Sequence, residues 1–519
     1  MGDRDALTVA AAESVASAFS LFGGQVLATF IAGLSSIVLA RLLGPEGYGR
    51  YSLSTTVASF LMLLTNFGVH AALTREASKL VAKGSLQAFS PLVGVALRFS
   101  LITSFLASTV GFLFSSALSL LLLNRLELVH LVRLALPLVI IDPLFNLVYA
   151  SLLGLGDAKA LALMPIVRDF SRGVLSPLLA LGSGCEGAVT GLVVGHALAA
   201  VAGFILLWRR VGGLGFARWG DLKPLLRYGL PLHVSTVLST GLMVYQNSLL
   251  AWFATDEEVG NLKIAGNFYA LLQLVSLPIT SALFPAFSKL EKEESGRAFK
   301  FAVKYSALLL APAGAYACVM SRDLVRLIYG DAYRLAPVYF SIQAVSFLWS
   351  GLGTAVLGSF LQGIGESKVV FEAMLVYASA FVPLSLSLAL VAGVYGVLVA
   401  TLASNLAFTL FSLREALKRG VSLDWSLALR VCLASILAVA VAGALSLTSS
   451  RYVVRLAFSM AGFLFAYGLL APSTGCLNLD DLKQLEFLLG KTPIGSIVKP
   501  ILSIEKAVVG MLSRYGGKA

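Results

Sequence analysis

The chain has little charge. Asp, Glu, Lys and Arg together make up 13% of its 519 residues, where a soluble domain carries about a quarter. With 58% hydrophobic residues, that scarcity excludes an ordinary water-soluble fold. Cysteine is scarce as well. Cys185, Cys318, Cys432 and Cys476 lie far apart with no paired spacing, so they indicate neither a disulfide framework nor a metal site and read as small buried hydrophobes. No glycine-rich loop runs into lysine and then serine or threonine, which leaves no sign of ATP as a direct energy source. No segment between apolar runs exceeds about fifty residues, too little for the soluble domain that a membrane glycosyltransferase or ligase needs. The chain is therefore not expected to be an enzyme, and no cofactor is expected.

What is present is apolar length. Runs long enough to cross about 30 Å of hydrocarbon occur at 18–41, 51–72, 91–120, 131–153, 160–182, 186–208, 228–253, 261–287, 300–320, 335–360, 369–391, 394–413, 426–447 and 453–471. Their near-continuous apolar character, without ten-residue alternation, argues for helices over a β-barrel. The expected fold is an all-α polytopic membrane protein with about fourteen transmembrane helices. Met1 to Ala12 carries charges of both signs and matches a cleaved signal peptide poorly, so the first helix is expected to be retained. Lysine and arginine are roughly twice as frequent in alternate loops, which places both termini in the cytoplasm of a cell membrane. The net charge of +12 suits an anionic membrane and anionic cargo; nucleic acid is not an expected partner.

One message occurs twice, about 210 residues apart. Leu152 to Lys159 reads LLGLGDAK and Leu361 to Lys368 reads LQGIGESK; Ser78, Lys79 and Leu80 recur as Ser288, Lys289 and Leu290; Leu39, Ala40, Glu46 and Gly49 recur as Leu250, Ala251, Glu257 and Gly260. Each copy contains an even number of helices, so both enter the membrane from the same side and form parallel six-helix bundles related by a pseudo-two-fold along the membrane normal. The expected divisions are 1–215, 216–420, two further helices in 421–472, and a cytoplasmic amphipathic tail at 473–519, where Leu479, Leu482, Leu485, Leu488 and Leu489 recur at near-helical spacing.

The segment LARLLGPEGYGRYSL, Leu39 to Leu53, and the segment PITSALFPAFSKL, Pro278 to Leu290, resemble polysaccharide flippases of the Wzx type. These belong to the MATE-like superfamily that includes multidrug extruders and lipid II flippases. The resemblance covers about the first 420 residues. It implies an alternating-access transporter that moves a lipid-linked oligosaccharide, carried on a polyisoprenyl phosphate or pyrophosphate, from the cytoplasmic to the outer leaflet. A cation-coupled multidrug or small-molecule exporter of the same superfamily is the alternative. Sugar and phosphate cannot cross hydrocarbon unaided, so the first reading asks for a hydrated, cationic cavity among membrane lipids.

Polar groups deep in the spans are the candidates. Arg168 and Arg172 share a helical face, where like charges repel unless an anion or a carboxylate lies between them. A substrate phosphate fits, and so do structural ion pairs with Asp169 and Asp142. Arg98 either faces the cavity or reaches back to the inner headgroups. Asp142 precedes Pro143, and a break there would pair freed carbonyls with a carboxylate, a proton or sodium site. His196 and His233 lie in the sixth and seventh spans as candidates for H+ coupling, a role that suits histidine as a residue type, though intramembrane histidines commonly serve packing. In the second half the set is milder: Gln246, Asn247, Lys263, Asn267, Gln273, Gln343 and Glu372. Its amides suit sugar hydroxyls or interhelical hydrogen bonding, and Glu372 joins Asp142, Asp169 and His196 as a candidate for ion coupling. Pro278 and Pro285 are expected to bend the eighth span.

Overall fold

The computed structural model describes residues 3–213, 215, 218–274, 292–448 and 450–477, with side chains from residue 23 onward. The expected bends at Pro278 and Pro285, the recurrence Ser288 to Leu290, and the leucine spacing of the tail lie outside these residues. The described residues form helices and turns, with no strand among them. The chain separates into two compact units, Met1–Gly260 and Asn261–Ala519.

In the first unit, the helices are α1 (Asp3–Ser54), α2 (Thr56–Met62), α3 (Val69–Ala82), α4 (Phe89–Leu113), α5 (Ser115–Leu123), α6 (Val129–Ala135), α7 (Leu138–Gly154), α8 (Ala158–Val211) and α9 (Leu222–Phe253). Among the described residues, eight helices are long and apolar enough to cross a membrane, or nine if one bent pair is a single span. Fewer helices than runs result partly because two consecutive runs fuse. The 54 residues of α8 contain a reversal at Ser183 and Gly184, where Gly184 takes φ 55°, ψ −129°. The two arms then lie antiparallel. Gly187 faces Leu179, Gly191 faces Ser176, Gly195 faces Arg172 and Gly203 faces Met164, each so close that a Cβ would overlap its neighbour. These glycines, with Ala199 at the intervening fourth position, form a small-residue stripe that lets helix backbones touch in lipid, where association rests on packing and not on hydrophobicity.

α1 lies parallel to the first arm of α8. Gly24 meets Ala162, Gly173 meets Ser35, and the Cys185 thiol donates to the Gly47 carbonyl across 138 residues, a constant offset. Gly44 interrupts α1 with φ 67°, and Pro45 restarts it, as proline does at a first helical position. The motif Leu39 to Leu53 thus contains the turn between two helices.

The two copies of that motif pack on each other within this unit. A Cβ on Gly49 would strike the Asp256 carbonyl, and one on Gly260 would strike the Pro45 carbonyl. The contact is reciprocal, since Gly49 recurs as Gly260 and Pro45 aligns with Asp256, and such reciprocity is what a local two-fold produces. Around it, Arg50 Nε donates to Asp256 Oδ2 at 2.9 Å, Arg125 pairs with the same carboxylate, and Arg125 Nε donates to the Ala251 carbonyl at 3.2 Å. Burial lowers the Arg125 pKa. These contacts, with the packing of α9 on α2 and α3, tie α9 to the first unit. The compact units therefore divide at Gly260, whereas the sequence repeat divides near 215.

The second unit comprises the rest of α10 (Asp256–Leu274), α11 (Lys292–Tyr329), α12 (Ala336–Ala344), a 3-10 stretch at Val345–Leu352, α13 (Leu357–Gly363), α14 (Ser367–Lys418), α15 (Trp425–Ser446) and α16 (Tyr452–Ser473). The repeat shows in backbone detail. α14 is again a hairpin, reversing at Gly393 with φ 53°, ψ −129°, the conformation of Gly184, and Gly396 crosses Leu388 as Gly187 crosses Leu179. The base of each hairpin is closed by an equivalent ion pair: Arg210 to Asp157 at 3.7 Å and Arg419 to Glu366 at 3.0 Å. Arg419 holds the Glu366 carboxyl below its usual range. α15 and α16 pack on α11 around Tyr316, Met320 and Phe463, and Arg455 pairs with the buried Asp323.

The hairpin packing is directly testable. Gly191→Ala places a methyl 2.5 Å from the Leu175 and Ser176 backbone and is expected to destabilise by about 1–3 kcal/mol. Gly182→Ala, with nothing within 4 Å, is expected to be neutral or slightly stabilising; thermal unfolding of the purified proteins compares them.

Candidate functional site

Three charged residues cluster in the first arm of α8. Asp169 is 4% exposed, and its Oδ1 lies 3.3 Å from Arg168 Nε and 3.0 Å from Arg172 Nε. One carboxylate thus bridges both guanidinium groups and relieves the repulsion that their spacing creates. The arginine side chains remain 31% and 32% exposed, so the cluster keeps one surplus positive charge with accessible donors. The Arg168 guanidinium also lies over the Phe145 ring, 5.1 Å from its centroid, a cation–π contact that fixes its plane.

Asp142 does not join the arginines. Its Oδ1 is 2.9 Å from His196 Nδ1, on the α8 arm that faces Arg172 through Gly195. A five-membered set, Asp142, Arg168, Asp169, Arg172 and His196, is therefore brought together from two helices. The expected break at Pro143 is absent: α7 runs continuously from Leu138 to Gly154, because the residue sits within the first two turns, where one lost hydrogen bond is tolerated.

The break is elsewhere. The run 51–72 is interrupted between α2 and α3, where Phe67 and Gly68 take positive φ. Unwound backbone at membrane depth needs partners for its carbonyls. His233 Nε2 lies 3.0 Å from the Leu63 carbonyl, Thr103 donates to the Thr65 carbonyl at 2.7 Å, and the Asn66 amide is 2.6 Å from His70 Nδ1. His233 is thus engaged in packing, with Gly229 against Gly68 to let it approach. The adjacent Asn66, Phe67 and Gly68 were the available signal for this interruption.

The other candidates are dispersed. Arg98 donates from Nε to the Gly94 carbonyl at 3.1 Å and lies over the Trp219 ring at 5.7 Å, near the linker. Gln246 and Asn247 are half-buried on α9, so they belong to the first unit and not with the amides of the second. Asn267 donates to the Tyr329 hydroxyl at 3.3 Å, one turn beyond the half-buried Lys263 on α10. Glu372 lies 3.7 Å from the exposed Lys368 ammonium, a pairing along one helix face. Gln343 Oε1 is enclosed without a hydrogen bond. Gln273 lines a cavity of about 440 Å³ in the second unit with Thr354, Ser359, Gln362 and Asn405, none of which stood out in the sequence because single polar residues are common in spans.

Comparison with known proteins narrows the possibilities. A family model described as polysaccharide biosynthesis protein matches residues 38–338, more than half of the chain. The chain belongs to that family. Among solved structures, this family member is similar to the lipid II flippase MurJ in an inward closed conformation, with TM-score 0.71 and 15% identity over 88% of this chain and 99% of that one. It is similar also to an inward-facing multidrug resistance MATE family transporter, with TM-score 0.64 and 19% identity over 76% and 94%. The MATE transporter VcmN of Vibrio cholerae in its bent form gives 0.51 and 16% over 78% and 98%. No curated protein matches the chain. The fold is therefore the MATE-like one that Leu39 to Leu53 suggested, an all-α multi-pass membrane architecture.

The carboxylate bridge sets an expectation for stability. Asp169→Asn leaves two arginines facing each other and is expected to destabilise by about 2–4 kcal/mol, toward the lower part of the range for breaking a buried pair because both arginines are a third exposed. Adding Arg172→Gln should restore part of the loss; a double-mutant cycle of thermal unfolding midpoints measures the coupling.

Proposed function

We propose that this protein flips an isoprenoid-phosphate-linked oligosaccharide from the cytoplasmic to the outer leaflet by alternating access. The observation that carries the reading is the Arg168–Asp169–Arg172 cluster, whose surplus charge sits inside an apolar helix with its guanidinium groups partly open. Charge within a span is costly unless it faces water, a partner or cargo. A substrate phosphate supplies the missing anion and suits the planar donors of arginine. A cationic drug meets repulsion at the same place. Family membership in polysaccharide biosynthesis supports a glycan as the rest of the cargo, and the likeness to a flippase fold is support by analogy.

The Asp142–His196 pair is the coupling element in this reading. An imidazole facing a carboxylate exchanges a proton, whereas sodium asks for a cage of oxygen ligands that a ring nitrogen does not provide. The loop bias of lysine and arginine supports both termini in the cytoplasm and the α9–α10 turn outside a plasma membrane.

The substrate reading is tested with Arg168→Gln and Arg172→Gln combined with Asp169→Asn, which leaves no buried charge unpaired. Cells relying on this variant should accumulate glycan lipid on the cytoplasmic face, with surface delivery down at least tenfold; delivery at the wild-type level overturns the role of the arginines. For orientation, a cysteine placed at Thr255 in a background lacking the native cysteines should react with an impermeant maleimide added outside intact cells. Labelling only after lysis reverses the topology.

A further inference from the structure

We propose that the cavity of the second unit between α10, the 3-10 stretch, α13 and the second arm of α14 binds a neutral sugar ring. The inference deepens the proposed function and rests on it, since the glycan is the part of the cargo that the arginine cluster leaves unrecognised. The cavity measures about 440 Å³, within the size range of small-molecule sites. Among the described residues its lining contains no Asp, Glu, Lys, Arg or His, so these offer nothing to a free ion of either sign. It does offer hydrogen bonds. The side chains of Thr354, Ser359, Gln362 and Asn405 line it, and none of them hydrogen-bonds another described residue.

In a membrane protein such groups are informative. Each amide or hydroxyl left unpaired in hydrocarbon costs roughly 2–7 kcal/mol, so four lining one cavity mark a space that holds water or a polar ligand, not an acyl chain. Amides both donate and accept, which matches the paired roles of vicinal sugar hydroxyls. The opposite requirement of a sugar, an apolar surface for its C–H face, is met by Tyr269, Phe347, Trp349 and Phe408. Two of these rings hold each other in place: Tyr269 and Phe347 lie with ring centroids 4.9 Å apart, and the Ser346 hydroxyl donates to the Tyr269 hydroxyl at 3.3 Å. Two lining hydroxyls are occupied locally, Thr409 on the Asn405 carbonyl at 2.8 Å and Ser346 on the Gln343 carbonyl at 2.8 Å. Uncharged hydrogen-bonding groups together with aromatic rings in one cavity select a neutral carbohydrate over a cation, a phosphate or a lipid tail.

Trp349 provides the reporter. In the full chain in lipid nanodiscs, with Trp208, Trp219, Trp252 and Trp425 changed to phenylalanine, emission is followed during titration with glucose, galactose, N-acetylglucosamine and lactose, with mannitol as the open-chain control. A saturable change is expected for at least one cyclic sugar, weakened tenfold or more by Asn405→Leu and by Gln362→Leu at unchanged thermal midpoint. No saturable change with any of the sugars, or a change that survives both variants, overturns the site. The two readings fail separately. Sugar binding with surface delivery unchanged in cells lacking the protein removes the flippase proposal and leaves the site; delivery lost in those cells with no sugar bound removes only the site.

Discussion

A polar group without a partner is expensive in hydrocarbon, and the fold is arranged around that cost. Asp169 lies between two arginines, His196 faces Asp142, and Asp323 pairs with Arg455. Where the backbone itself is unwound, between α2 and α3, side chains from α4 and α9 meet its carbonyls. Against that pattern, two places where several open groups converge carry the functional argument: guanidinium groups with charge to spare in the first unit, and amides and hydroxyls without partners in the second.

The same solvent explains the glycines. Lipid gives helices no hydrophobic reason to associate, so contact depends on backbones coming close. Gly187, Gly191, Gly195 and Gly203 zip the two arms of α8, and Gly49 and Gly260 seat the two copies of the repeated motif on each other. The duplication is thus physical as well as textual. Hairpin reversals at Gly184 and Gly393 share one conformation, and the acidic residue of each glycine turn, Asp157 or Glu366, meets an arginine at the far end of its own hairpin.

Much of the candidate site was legible because charge in an apolar run is conspicuous. Arg168, Asp169, Arg172, Asp142 and His196 were all visible, and Asp169 did what its spacing to Arg172 suggested. Their pairing was less legible: Asp142 was weighed as a partner of Arg172 and instead faces His196, because Gly195 sets the depth at which the second arm of α8 meets the first. The proposed sugar cavity was nearly invisible, with Gln273 alone among its polar lining noted. Amides and hydroxyls are tolerated singly throughout membrane helices, and only their convergence from four elements distinguishes these.

By itself the sequence determined the class of the molecule, its helical spans, its repeat and its family, since each of these is written in local composition or in order along the chain. The tertiary structure decided which polar groups are paired and which are left open, where a span is broken, and that α9 packs with the first unit although the repeat assigns it to the second. The reason is geometric. Apolar length and glycine spacing act within one helix, whereas the satisfaction of a charge or a carbonyl depends on what a different helix brings within about 3 Å of it.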